Sequence, residues 1–447
     1  MNLVYNVKDK PRFGEILIFA LQQLLAILAA TIAVPAIIGH GLSPAAALFG
    51  AGMGTLVYLL FTRFKSPVFL GSSFAFLGSM SAAFAGAVSM QLGYFGLIVG
   101  CVFAGLVYVV IALVVKFVGT NWIDKVMPAV VIGPTVAIIG LSLAGNAIGD
   151  LKGSGWLGIL CGLVTLFVTI ICSVFGKKLV RMIPFIIGIG AGYLLATLFT
   201  VTGAAELVPF EKFNNIEWVP QFTFIKAFEF GAFNYGEFNN MGAYIASIAI
   251  AYVPVAFVVF AEHLADHKNL SSIIGADLTK DPGLSNTLLG DGVGSMVGAF
   301  FGGAANTTYG ESIATVAISR NASTITIFVT AIMAIIASFI GPFATLLATI
   351  PSCVMGGVCI ALYGFIAVSG LKMIQGVDLG DNRNLFVVST ILIAGVGGFV
   401  LNIGKVTLTA VAVALILGIL VNVICSIGKK NEAKAQDVQE EKKEENE

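Results

Sequence analysis

Long apolar runs recur along the chain, separated by short clusters of glycine, proline and charged residues. A helix needs about 20 apolar residues to cross the hydrocarbon core of a bilayer. Of the 447 residues, 58% are hydrophobic and only 11% are charged, and the mean hydropathy is +0.98. A soluble domain carries roughly 25% charged residues. The pattern therefore predicts an α-helical polytopic membrane protein.

Fourteen such runs can be distinguished. They lie near residues 15–38, 45–63, 68–89, 93–117, 126–147, 155–175, 181–202, 241–265, 284–303, 308–320, 323–342, 351–371, 384–400 and 405–427. The tenth is too short for an ordinary span and begins with NTTYGE, and the third contains GSSFAF. We expect short extended stretches to break these two segments.

The distribution of basic residues tests this count through the positive-inside rule. With fourteen crossings and a cytoplasmic N-terminus, all but four of the 24 Lys and Arg residues fall on the cytoplasmic side, the exceptions being Lys152, Lys212, Lys226 and Lys405. Both termini are then cytoplasmic, the first span serves as its own insertion signal, and the acidic loop 203–240 is extracellular. The mixed-charge tail 429–447 has no apolar period, which predicts a disordered end.

Composition also argues against several classes of partner. There are 24 basic and 24 acidic residues, so no basic surplus points to nucleic acid. The six cysteines lie in apolar runs without CxxC spacing, which indicates small buried side chains rather than disulfides or metal ligands. No pattern calls for a cofactor. The glycine pairs in AGMGT and VMGGV (Gly52, Gly54, Gly356 and Gly357) are interpreted as sites of close helix packing.

An internal similarity links the two irregular segments. Ser72-Ser73-Phe74-Ala75 matches Thr307-Thr308-Tyr309-Gly310 in residue type, seven segments later. Because seven is odd, the second half would be inserted upside down relative to the first, as in transporters that bind their substrate between broken helices. Chance is the alternative, since hydroxyl and aromatic residues are common.

Carboxylates within apolar segments are costly and are functional hypotheses by default. Glu311 belongs to the broken tenth segment, and for it we favour function. Glu262 and Asp266 share one helix face at i, i+4 spacing, where two ionised groups would repel each other and so favour retention of a proton. The alternative is that the helix leaves the membrane at Ala261. For Asp291, in LLGDGVGS, a functional and a solvated position are equally balanced.

His263 and His267 are also spaced i, i+4, which resembles half of a zinc site. The HExxH motif requires Glu after its first His, but this chain has Leu264 there, so a metal site is not expected. We expect His263 to bond a backbone carbonyl or a neighbouring helix, and His267 to face the cytoplasm.

Three longer stretches, AEHLADHKNLSSII, DPGLSNTLLGDGVGSMVGAFFGGAANTTYGESIA and IPSCVMGGVCIALYGFIAVSGL, resemble the nucleobase–ascorbate transporter family. The similarity is greatest to its bacterial uracil permease branch and runs from about residue 10 to 428. It implies two inverted repeats of seven segments. Residues 14–119 and 241–343 would form a core domain, and residues 120–202 and 344–428 a gate domain that also makes a homodimer contact.

The resemblance also implies roles for individual residues. Glu262 and Glu311 would hydrogen-bond the edge of a base, with the backbone at Phe74 and at Tyr309-Gly310. Phe74 and Tyr309 would supply aromatic walls, and Tyr363 would close over the substrate. Antiparallel strands in segments three and ten would hold it, and no residue would act as a catalyst.

The sequence departs from the family pattern at several positions. Gln23 stands where relatives commonly have His, and Asp266 stands where some have a His involved in coupling. Ser312 replaces the Asn that usually follows the acid of segment ten. That acid is typically Gln in purine transporters, so Glu311 favours a pyrimidine.

Together these features predict proton-coupled uptake of uracil across a bacterial cytoplasmic membrane, with Glu262 and Asp266 carrying the proton. A xanthine or urate permease of the same fold is the near alternative. A transporter of anions is the more remote one, because buried carboxylates would repel its substrate.

Overall fold

The computed structural model describes residues 3–177, 179–229, 241–403 and 406–426. Lys178, Lys405, the last part of the predicted extracellular loop (residues 230–240, with Glu237) and the predicted disordered tail lie outside these residues.

Most of the described chain is helical. The helices are α1 (Phe13–Ile38), α2 (Pro44–Phe61), α3 (Leu77–Ala85), α4 (Met90–Val118), α5 (Asn121–Val126), α6 (Ala129–Ser142), α7 (Ala144–Gly153), α8 (Gly155–Phe175), α9 (Leu179–Met182), α10 (Pro184–Val201), α11 (Thr223–Ala227), α12 (Met241–Ile274), α13 (Leu284–Gly302), α14 (Gly310–Ser319), α15 (Thr324–Ser338), α16 (Gly341–Ala348), α17 (Ser352–Met373), α18 (Asn382–Val396) and α19 (Ala410–Ser426). Short 3₁₀ turns occur at Phe74–Phe76 and Phe210–Asn214, and a π turn at Thr279–Gly283.

Four short strands complete the described secondary structure: β1 (Leu70–Ser72), β2 (Asn306–Thr308), β3 (Leu401–Ile403) and β4 (Val406–Leu408). β1 pairs antiparallel with β2, and β3 with β4. The antiparallel pairing expected between segments three and ten is therefore confirmed. The pairing of β3 with β4 was not expected, because these residues form the margins of two predicted apolar runs.

Each of the fourteen predicted segments overlaps a helix. Among the described residues, eight helical stretches are long and apolar enough to cross a membrane by themselves, or nine when α15 and α16, which meet at 84°, count as one span. The prediction of a multi-pass α-helical membrane protein is confirmed. The count of fourteen and the inverted repeat stay predictions.

The helices pack in two groups. In the first group, α2 packs on α13 and α15, α4 packs on α12 and α13, and α1 packs on α15. In the second group, α17 packs on α6, α7 and α8, α8 packs on α10, and α6 packs on α18. A Cβ atom on Gly54 would lie 2.7 Å from the Gly294 carbonyl oxygen, and one on Gly356 would lie 2.8 Å from that of Ala147. Close helix packing at these glycines is thus confirmed in both groups.

Helix α12 continues well beyond the predicted end of its segment. It runs to Ile274, so Glu262 and Asp266 lie inside a continuous helix and are partly buried. The point at which the helix leaves the membrane, near Ala261 or beyond both acids, stays a prediction.

Candidate functional site

The two paired strands lie where α1, α2, α12 and α13 surround them. Their residues are paired as Leu70 with Thr308, Gly71 with Thr307 and Ser72 with Asn306. Two further hydrogen bonds extend the ladder, from the Ser73 N–H to the Ala305 carbonyl (2.8 Å) and from the Tyr309 N–H to the Phe69 carbonyl (3.1 Å). Every residue of both strands is buried.

Hydroxyl side chains from adjacent helices satisfy the outer edges of this ribbon. Thr55 on α2 accepts a hydrogen bond from the Leu70 N–H at 2.9 Å. Ser295 on α13 donates to the carbonyl of Asn306. Extended backbone is tolerated at membrane depth only where protein or a cavity satisfies its polar groups. These two hydroxyls therefore help to explain how a strand pair can exist inside the helical core.

Tyr309 spans from one strand to the other. Its ring lies directly over Gly71, where any Cβ atom would overlap the ring. Its hydroxyl donates to the Ser72 carbonyl at 3.0 Å. Tyr309 is buried, so the ring and the strand backbone form a single rigid unit. The hydroxyl is therefore held by the strand that the ring covers.

Helix α14 starts immediately after this unit, with Tyr309 in extended conformation as its N-cap and Glu311 in its first turn. The first N–H groups of a helix have no intrahelical partner, and the helix dipole favours a negative charge there. Gly310 is exposed and nothing lies within 4 Å of a Cβ atom built on it. The turn therefore presents a carboxylate and free peptide groups at an open position.

Ser312, in the same turn, joins α14 to two other elements. Its hydroxyl accepts hydrogen bonds from the Phe69 N–H at 2.9 Å and from the side-chain amide of Gln23 on α1. Gln23 and Ser312 are two of the positions at which the sequence departs from the family pattern. The structure brings these two departures into direct contact.

The acids of α12 have different surroundings. Asp266 accepts a hydrogen bond from the Thr308 hydroxyl of β2 at 2.7 Å. Glu262, one helical turn before Asp266 on α12, has no hydrogen bond among the described residues. The strand pair thus connects directly to one acid and leaves the other available.

Phe74 and Tyr363 meet at the opposite end of β1. Their ring centroids are 5.4 Å apart with an interplanar angle of 81°, an edge-to-face contact. Phe74 follows β1, whereas Tyr363 lies on α17 in the other helix group. The structure therefore brings these two predicted site residues together across the boundary between the groups.

A second polar cluster lies between α12 and α13. The Nδ1 atom of His263 is 2.7 Å from a carboxylate oxygen of Asp291, and Nε2 is 3.0 Å from the Thr287 hydroxyl. His263 therefore bonds a neighbouring helix, as predicted. Asp291 is buried, which does not support the solvated interpretation.

His267 does not face the cytoplasm, and that prediction was wrong. Its Nδ1–H donates to the His263 carbonyl at 2.8 Å, and its Nε2 lies 2.7 Å from the Tyr58 hydroxyl. Leu264 and Leu270, which are both buried, lie on the same face of α12 as His267, so the buried face of the helix continues beyond this residue. Their three-residue spacing from His267 is the sequence signal that was missed.

Several buried hydroxyls near the strands have no hydrogen-bond partner in the described protein: those of Ser73, Thr307 and Tyr363. Buried polar groups are usually paired. These hydroxyls therefore retain hydrogen-bonding capacity close to Phe74 and the paired strands.

Comparison with known proteins identifies the group to which this architecture belongs. The model of the Permease family, labelled Xan_ur_permease, matches residues 14–404. The chain belongs to this permease family. It is therefore a multi-pass membrane transporter rather than an enzyme.

The relatives of this permease include bacterial proteins that match over nearly their whole length. It is 39% identical to the uracil permease of Bacillus caldolyticus, with 94% of each chain covered. It is 37% identical to that of Bacillus subtilis, with 96% of each covered. The uracil permease of Escherichia coli K12 is 34% identical, covering 94% of this chain and 93% of the relative.

Solved structures show the same fold at much lower sequence identity. The transmembrane domain of the cyanobacterial bicarbonate transporter BicA aligns with a TM-score of 0.64 at 16% identity, covering 93% of the permease and 99% of that domain. Murine Slc26a9, an anion transporter in the inward-facing state, aligns with a TM-score of 0.63 at 12% identity, covering 94% and 69%. These similarities concern the fold alone.

Proposed function

We propose that this permease carries uracil into a bacterial cell across the cytoplasmic membrane, together with protons, by alternating access. The observation that carries the proposal is the convergence of Glu262 and the first turn of α14, with Glu311, on a buried strand pair. Uracil permease relatives at 34–39% identity support the choice of substrate.

Uracil is flat and neutral, and it alternates N–H donors with carbonyl acceptors along its edge. Carboxylates accept from ring N–H groups, and backbone N–H groups donate to ring carbonyls. In this proposal Glu262 and Glu311 bind the N–H edge, and the peptide groups at Phe74 and Tyr309-Gly310 complete the recognition. Phe74 and Tyr309 pack against the ring, and Tyr363 closes over it.

The two helix groups correspond to the proposed moving parts. Residues 14–119 and 241–343 form the core domain, which holds the strands and acids. Residues 120–202 and 344–428 form the gate domain, which contributes Tyr363 and a homodimer contact. Fourteen segments in two inverted halves would place the site between the two broken segments, with both termini in the cytoplasm.

Coupling requires that the proton and the base each favour binding of the other. Glu262, sharing its proton with Asp266, is protonated first and then binds the base as a neutral group. Because Thr308 donates to Asp266, a change in the charge of this acid would alter the hydrogen bond that connects it to β2.

The experiment is uptake of labelled uracil by proteoliposomes that contain the purified protein, with and without an imposed inward proton gradient. Accumulation above the external concentration only with the gradient is expected. Uracil that merely equilibrates would contradict proton coupling while retaining the substrate.

Competition with unlabelled bases distinguishes the near alternative. Xanthine or urate that displaces labelled uracil, and is itself accumulated, would make the protein a purine permease of the same fold. The fold shared with bicarbonate and other anion transporters defines a third outcome, in which bicarbonate or chloride flux occurs without uracil uptake. Carboxylates at the site disfavour that outcome.

A further inference from the structure

A cavity lies near the C-terminal end of α1. It has a volume of about 250 Å³ and lies between α1, α3, α6, α7 and the start of α19. Pockets for drug-sized ligands occupy roughly 300–1,000 Å³, so this one fits a smaller molecule. The residues that matter for its chemistry are Phe74, Gly78, Ser81, Ser142, Asn146 and Thr409.

The cavity is separate from the paired strands but adjacent to them. On α1, Thr31 contacts Ser72 and Tyr309, whereas Ile37 and Ile38 border the cavity. At 1.5 Å per helical residue the two levels are about 10 Å apart. Phe74 borders the cavity and also contacts Tyr363, so the cavity lies next to this aromatic pair.

The polar groups of the cavity are uncharged. No Asp, Glu, Lys, Arg or His is among its lining residues. Within the described part of the chain, no hydrogen bond holds the side-chain amide of Asn146 or the hydroxyl of Ser81, and both residues are exposed. Ser142 donates to the Ile139 carbonyl at 3.0 Å, which leaves its oxygen free to accept.

An unpaired amide is a specific recognition group. It offers one acceptor and two donors in a plane, which complements a ring edge where an N–H stands next to a carbonyl. Phe74 supplies an aromatic surface for the face of such a ring. The lack of charged lining residues favours a neutral ligand over an anion.

We propose that this cavity is a transit site for a neutral pyrimidine base, in which Asn146 selects the base before it reaches the paired strands. The inference rests on the proposed function, because the base is the one carried. It adds a second binding position on the path, on elements that contain none of the predicted site residues except Phe74.

The first test compares Asn146→Leu with Asn269→Leu, a control at an exposed position on α12 that does not border the cavity. Uracil uptake and equilibrium uracil binding to the purified protein are both measured. Asn146→Leu should raise the half-saturating concentration for uptake about two- to tenfold, the effect of one neutral hydrogen bond. Its equilibrium binding at the strands should stay close to that of wild type.

The second test asks whether uracil occupies the cavity. Asn146→Cys is made together with Cys172→Ser and Cys425→Ser, because these are the native cysteines that are not buried. Uracil should slow modification of the new thiol by a water-soluble methanethiosulfonate. The slowing should persist when Glu311→Ala has removed transport, which separates direct occupation from a movement driven by binding at the strands.

The outcomes distinguish this inference from the proposed function. If wild type does not take up uracil, the proposed function fails, and the cavity loses its assigned ligand with it. If wild type takes up uracil but Asn146→Leu behaves like Asn269→Leu, the transit site is wrong and the proposed function stands. Protection that disappears in the Glu311→Ala background also overturns the transit site.

Discussion

At the scale of single residues, the two acids of α12 are distinguished by one hydrogen bond. Thr308 donates to Asp266, whereas Glu262 has no such partner among the described residues. We therefore propose that Glu262, which is left free, contacts the base and carries the exchangeable proton, with Asp266 in a supporting role.

Glu262→Gln mimics the protonated acid permanently. We expect this variant to bind uracil and to exchange it across the membrane, but not to accumulate it under a proton gradient. Labelled uptake and counterflow in proteoliposomes measure the two activities, and Glu206→Gln, at an exposed loop position, is the control. Gradient-driven accumulation by Glu262→Gln would refute its role in coupling.

Gln23 and Ser312 depart from the family pattern at positions that are far apart in sequence but in contact. Gln23 donates to both the hydroxyl and the carbonyl of Ser312. We expect a non-additive double-mutant cycle for Gln23→Ala and Ser312→Ala, with a coupling of about 0.5–1.5 kcal/mol, typical of one hydrogen bond. The readout is uracil binding by the purified variants. Additive effects would show that the contact does not support the site.

At the scale of secondary structure, the N-terminal arm (residues 3–7) packs against the elements around the paired strands. Val4 and Tyr5 donate backbone hydrogen bonds to the Arg320 carbonyl just after α14. Leu3 and Val7 pack against a buried cluster that includes Leu70 of β1 and Ile313 of α14. The arm therefore supports the elements that carry Tyr309 and Glu311.

Gly71→Ala tests the strand pair. The new methyl group would overlap the Tyr309 ring, so the ring must move and its bond to Ser72 should be lost. We expect uracil binding to weaken at least tenfold. Gly190→Ala, at a helix position with nothing within 4 Å of a new Cβ atom, is the control. Wild-type binding by Gly71→Ala would mean that Tyr309 is not held as described.

Val7→Asp and Val4→Asp form a matched pair in the arm. Val7 packs against the buried cluster, whereas Val4 is 59% exposed. Burial of an unpaired charge should make Val7→Asp less stable by about 1–3 kcal/mol, visible as a lower thermal midpoint in detergent. Val4→Asp should change little. Equal midpoints would show that the arm does not support α14.

At the scale of the whole molecule, the two helix groups meet where α1 packs on α10 and α17 and where α12 packs on α6. Individual side-chain contacts add to these helix contacts. One is the contact between Phe74 and Tyr363. Another is on the side where α1 ends, where a Cβ atom on Gly78 would lie 3.7 Å from the Thr409 methyl group. In alternating access, contacts of this kind must open and close in each cycle.

Gly78→Cys combined with Thr409→Cys should therefore lock the groups together. The Thr409 methyl carbon stands at a γ position, where a cysteine has its sulfur, so the two introduced side chains would be direct neighbours. Oxidation should abolish uracil uptake and reduction should restore it, while either single variant is insensitive to both treatments. A cross-linked protein that transports at the wild-type rate would show that the groups do not move apart here.

The sequence by itself determined the class of protein, the positions of the helices and the places where two of them break. These features are local, because a run of apolar residues or a polar stretch within it has the same meaning whatever packs against it. The irregular stretches around Gly71 and Asn306 were identified in this way, and so were the residues next to them, such as Phe74 and Glu311.

Only the tertiary structure decided which polar groups have partners. The sequence predicts that His267 lies at the exposed end of a span, yet the Tyr58 hydroxyl of α2 lies within hydrogen-bonding distance of its ring. The contact of Gln23 with Ser312 joins positions 289 residues apart. Helix α16, which meets α15 at 84°, lies almost entirely between the eleventh and twelfth predicted segments and likewise was not predicted. Periodicity along one chain segment contains no information on what a distant segment brings to it, and the burial of a polar group depends on that distant segment.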